Sequence, residues 1–140
     1  MPLTEIRSSY LEVSDSLRAL AAAAAQDMPG DALAHARRDL SQTAARVVGL
    51  REKLLIAPLR ASPVAEHNAC ARRLVDQALQ SRLRTIEFNA RWTMDAIQAD
   101  LPGYRALLRE VVREIDARIT EELATLHPMV LAAIEARAQA

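Results

Sequence analysis

Leu3, Ile6, Tyr10, Val13, Leu17, Leu20 and Ala24 recur at alternating steps of three and four along the first part of the chain. Leu33, Ala36, Leu40, Thr43, Val47, Leu50 and Leu54 repeat the pattern. That spacing places each set on one stripe of an α-helix about 100° wide, and such a stripe must be buried against another helix. Later positions are apolar on broader arcs. Leu74, Phe88 and Trp92 lie on one side of a third helix, and Val75, Leu79, Leu83, Ile86, Met94, Ile97 and Leu101 lie on another. A fourth carries Leu108, Val112, Ile115, Ile119, Leu123 and Leu126, with Leu107 and Val111 at the edge.

Breaker residues divide these patterns. Pro29-Gly30 ends a first helix running from Leu3 to Met28, and Asp31 caps a second that runs to Ile56. Pro58 and Pro63 bracket a loop over Ala57 to Ser62, and Ser62-Pro63 offers a capping hydroxyl followed by a proline at the first helical position. The third helix is expected to run unbroken to Ala99. Asp100-Leu101-Pro102-Gly103 makes a tight connection to a fourth, in which Pro128 bends or breaks the course. The predicted fold is all-α: an antiparallel four-helix bundle with a long helix 3–helix 4 hairpin, forming one domain over residues 1–140.

The lengths are unequal. Two helices of about 25 residues span roughly 37 Å, whereas two of about 37 residues span roughly 55 Å. The hairpin of helices 3 and 4 is therefore expected to overrun the bundle. Its tip carries Phe88, Trp92, Met94, Ile97, Leu101, Tyr104 and Leu108, an apolar cluster that water does not tolerate. With no breaker apparent between Val64 and Ala99, the expectation is that a second copy or another protein covers it. Arg82 and Asn89 fall seven residues apart within the apolar arc of helix 3, so both are expected to be buried. Asp116 is the candidate carboxylate partner for Arg82.

Composition narrows the possibilities. The chain is 51% hydrophobic but holds only four aromatic residues, Tyr10, Phe88, Trp92 and Tyr104. Alanine is abundant and glycine scarce, which favours helix. Eighteen basic and eighteen acidic residues cancel, arguing against general nucleic-acid binding, which requires a basic surface. All the basic residues but Lys53 are arginine, the bias of a GC-rich genome. Cys70 is the lone cysteine and fits a reducing cytosol; no leader pattern or bilayer-length apolar run is present.

Candidate chemistry is sparse. Arg60 and His67 are separated by six residues, a spacing that resembles the Arg-x4–6-His element of HEPN-class ribonucleases. There the histidine performs acid–base chemistry and the arginine stabilises phosphate charge; Ala61 stands where that family often has a polar residue. His35-Ala36-Arg37-Arg38-Asp39 is similar to the phospho-accepting motif of histidine phosphotransfer domains, with Arg38 for its lysine and Asp39 for its glycine. His67 and Cys70 share a helix face, but two ligands do not make a metal site. No phosphate-binding glycine loop, nucleophile motif or paired carboxylates occur. The chain thus reads as a cytosolic interaction module, such as an adaptor, export chaperone or small regulator. It has no cofactor, no metal and no membrane, and its partner is a second copy or another protein. A HEPN-like ribonuclease is the alternative, and a phosphotransfer domain using His35 stands third.

Overall fold

The computed structural model describes residues 2–26 and 30–140, and every regular element among them is helical. Helix α1 spans Pro2–Ala24 and α2 spans Gly30–Arg51; a π-helical turn over Glu52–Ile56 leads into α3, Ala57–Ala61. Then come α4 at Ala65–Arg91, α5 at Met94–Ala99 and α6 at Leu101–Gln139. The expected end of the first helix at Met28, and Pro29 with it, lies outside the described residues, but α1 has already ended at Ala24. There Arg105 of α6 donates to the free carbonyls of Ala24 (2.5 Å) and Gln26 (2.6 Å), so a distant side chain supplies the cap. Gly30 enters α2 with φ of 37°, a left-handed conformation that costs glycine little.

The segment after α2 departs from expectation. Residues 57–61 are helical rather than a loop. The Ala57 amide bonds the Glu52 carbonyl five residues back, and this wide turn delivers Pro58 into the first turn of α3, where its missing donor is harmless. Nor does the next helix start at Pro63. Ser62 instead turns its hydroxyl inward, accepting from the Val64 amide at 3.2 Å and sharing a proton with Nδ1 of the buried His67 at 2.7 Å. Asn68 donates to the carbonyls of Leu59, Arg60 and Ser62, closing the end of α3.

Helix 3 does contain a break, at Trp92-Thr93. Thr93 adopts an extended backbone and its hydroxyl accepts from the Ala96 amide, capping α5. Asp100 likewise caps α6 by accepting from the Gly103 amide at 3.1 Å. A Cβ at position 103 would run into that carboxylate, so the glycine is required for the cap. α6 then runs without interruption through Pro128 to Gln139.

The core falls into two clusters along the bundle. One joins Leu3, Ile6 and Tyr10 of α1 to Leu55, Ile56 and Leu59, to Cys70, Ala71 and Leu74 of α4, and to Leu126, Val130 and Ala133 of α6. The other joins Leu17, Leu20 and Ala24 of α1 to Leu33 of α2, Ile97 of α5, and Tyr104 and Leu108 of α6. Polar contacts mark the middle of α1. Ser14 donates to Asp116 at 2.7 Å, Arg18 bonds both, and Ser16 meets Thr43 at 3.3 Å.

Candidate functional site

The break at Trp92-Thr93 decides the fate of the apolar tip. By folding α5 back, it places Ile97, Tyr104 and Leu108 in the second core cluster, where they are fully or almost fully buried. Phe88, Trp92, Met94 and Leu101 pack around them. Trp92 and Phe88 stack against Tyr104 at centroid separations of 5.4 and 6.3 Å. The overrun expected from helix length is taken up by a turn, and α1 and α2 contribute to the cluster, leaving Phe88, Trp92, Met94 and Leu101 half-buried. Burial raises the pKa of Tyr104, with Arg37 opposing. Its hydroxyl has no partner among the described residues.

Arg82 and Asn89 are not buried either. Both are exposed, because α4 is attached to the rest of the molecule chiefly at its two ends. Asp116 is half-buried as expected at its helix edge, but its partners are Ser14 and Arg18, not Arg82.

The reason lies in how α4 is rotated. From Arg73 onward the side facing the other helices carries Leu74, Gln77, Ser81 and Phe88, with the exposed Arg73 and Arg84 at its edge. Leu74 and Phe88 reach the two core clusters, but between them Gln77, Ser81 and Arg84 do not, and a cleft of about 480 Å³ lies between this stretch and α1, α2 and α6. Nearly opposite on the helical wheel, Val75, Leu79, Leu83 and Ile86 face solvent and are 40, 54, 47 and 56% exposed. Four large apolar side chains in line over three turns form an unpartnered helix face.

The cleft has a built floor. Arg51 donates to the Tyr10 hydroxyl at 3.0 Å and to Glu122 at 2.5 Å, and the paired guanidinium and carboxylate are only 17 and 14% exposed. Burial alone would lower the pKa of Arg51, but Tyr10 and Glu122 outweigh it and the net shift is upward. Burial, aided by Glu122 and opposed by Arg51, raises that of Tyr10 well above the ordinary phenol range. Sequence reasoning missed this triad. Tyr10 sits on the α1 seam and looks like core, while Arg51 and Glu122 lie 71 residues apart with no pattern linking them.

The candidate chemical residues are not gathered together. Arg60 pairs with Glu52 at 3.3 Å on the surface, while His67 is buried against Ser62 at the α3–α4 corner. His35 is exposed on α2. His127 is half-buried, with its Nε2 unpartnered among the described residues; burial and Arg7 lower its pKa, with Glu122 opposing. Cys70 is a free, buried thiol. Among the described residues no three His, Cys, Asp or Glu side chains cluster as metal ligands, and no helix is long and apolar enough to cross a membrane. Comparison with protein-family models, curated proteins and solved structures finds no match for this chain.

Proposed function

We propose that this chain is a cytosolic interaction module. It is built as an antiparallel four-helix bundle in which α2 and α3 form one arm and α5 caps the α4 arm, and it self-associates through the outer face of α4. The observation that carries the reading is the second apolar face of α4: Cys70, Leu74 and Phe88 pack inward, while Val75, Leu79, Leu83 and Ile86 stand in line on the outside. A helix so oriented is incomplete alone, since four of its large apolar side chains remain in water.

A second copy fits this face. Two α4 helices paired over four turns bury on the order of 1,000 Å² in total, the lower bound for a specific interface. In an antiparallel pair centred between Leu79 and Leu83, Val75 of one copy meets Ile86 of the other. Arg72 and Glu87 lie on one flank of the stripe at opposite ends, so each reaches its counterpart in the other copy.

Sedimentation or light scattering tests this directly. The wild-type chain is expected to be dimeric at tens of micromolar, and Leu79→Glu with Leu83→Glu should give a monomer of unchanged helicity, because burying unpaired charge is costly. A wild-type monomer at high micromolar concentration would sink the proposal.

A further inference from the structure

The cleft behind α4 is distinct from the outer stripe, and its charge is unbalanced. Four arginines line it, Arg51, Arg73, Arg84 and Arg118, against two glutamates, Glu121 and Glu122. Arg51 and Glu122 neutralise each other at the floor. Arg73, Arg84 and Arg118 enter no ion pair among the described residues. Beside that pair the floor is apolar, formed by Val47, Ile119 and Leu126 among others. A rim of three arginines against the one glutamate Glu121, over a floor that is apolar beside a neutralised ion pair, selects a ligand with an apolar stripe and negative flanks.

The dimensions narrow the ligand class. The α4 side of the cleft runs from Cys70 to Arg84, roughly 21 Å at the rise of an α-helix. Its volume of about 480 Å³ holds one row of side chains, while the opening to solvent leaves room for a backbone outside. Arg73 and Arg84 stand eleven residues apart, close to three helical turns, so they meet carboxylates spaced three turns apart along a facing helix.

We propose that this cleft receives an acidic amphipathic helix of another protein. Its apolar residues, at i, i+4, i+7 and i+11, lie over the floor, and its carboxylates pair with Arg73, Arg84 and Arg118. This is helix-in-groove recognition, in which the seam supplies burial and the rim supplies selectivity.

The test uses the full chain and two labelled helical peptides of the same leucine seam, one flanked by glutamates and the other by lysines, with binding read by fluorescence anisotropy. The glutamate peptide should bind at least about tenfold more tightly than the lysine peptide, and added salt should weaken it. Arg73→Glu with Arg84→Glu should cost at least about tenfold in affinity. Arg109→Glu, an exposed α6 residue outside the cleft, should leave it unchanged. The monomeric Leu79→Glu/Leu83→Glu variant should bind the glutamate peptide like wild type, because its substitutions face away from the cleft. Equal binding of the two peptides, no binding of either, or indifference to the Arg73 and Arg84 substitutions would overturn the proposal. So would displacement of the peptide by self-association, which would make a second copy the occupant, or a medium-chain fatty acid binding where the glutamate peptide does not. Failure of dimerisation with peptide binding intact would remove the self-association reading and leave this one standing.

Discussion

Arg51, Tyr10 and Glu122 form the most heavily constrained polar group of the molecule, and they show what a buried ion pair contributes. The pair itself is weak grounds for stability, but removing one member strands the other. Arg51→Ala should destabilise by about 3 kcal/mol, whereas Arg51→Met with Glu122→Leu should recover most of that loss, as measured by urea denaturation. Equal losses in the single and double variants would show that packing, not charge, is at stake. The tyrosines set an alkaline limit. The pKa values of Tyr10 and Tyr104 are raised in the folded chain, so the folded state holds protons that the unfolded state releases above its value of 10.0. The tyrosines' contribution to stability is therefore full below pH 10 and falls as pH rises beyond it. Tyr10→Phe and Tyr104→Phe should flatten that alkaline limb in thermal melts. His127 acts in the opposite direction. Its pKa is lowered on folding, so stability is lost as pH falls below 6.5, and His127→Gln should reduce that acid sensitivity.

At the scale of elements, ends and corners are held by single side chains. Thr93 caps α5 where the long helix breaks, and Thr93→Ala should cost about 1 kcal/mol. Loosening of α5 would expose Trp92, so a red shift of its fluorescence under native conditions is the accompanying signal. The seams of α1 and α2 were legible, with Val13, Ala36, Leu40, Leu50 and Leu54 only half-buried along them. Leu3, Ile6, Tyr10, Leu17, Leu20 and Ala24 are buried, as are Leu33, Thr43 and Val47. Their legibility has a simple cause: each seam packs on one side only, so periodicity maps directly onto burial. The Trp92-Thr93 break uses neither proline nor glycine, and its one local mark is Thr93, a capping residue type that also occurs inside helices. Continuity through Pro58 was equally hidden, since a π turn has no compositional mark.

The whole molecule is a packed set of helices with one arm held at its ends. The centre of α4 has few packed neighbours, so its amides should exchange with deuterium faster than those of α1 in the monomer and become protected on self-association. Uniform protection along α4 in the monomer would contradict the open cleft. Arg82 provides a second check at this scale. It lies at the margin of the outer stripe near the centre of an antiparallel pair, where it approaches its own copy. Arg82→Leu should therefore extend the apolar face, remove like-charge repulsion and tighten association by about tenfold, read from the concentration dependence of mass.

Period, composition and charge by themselves determined the all-helical class, the seams of α1 and α2 and the two-sided character of α4, because these follow from local geometry and from which side chains leave water. They could not determine which of the two sides of α4 would face inward. That choice depends on how the tip closes: Trp92 and Tyr104 pull one end of α4 onto the second core cluster, while Cys70 and Leu74 hold the other end on the first. With both ends anchored, the rotation of the helix is set by contacts far apart in sequence. Only the tertiary structure decided that Arg73 and Arg84 line a cleft and that Leu79 and Leu83 meet the solvent.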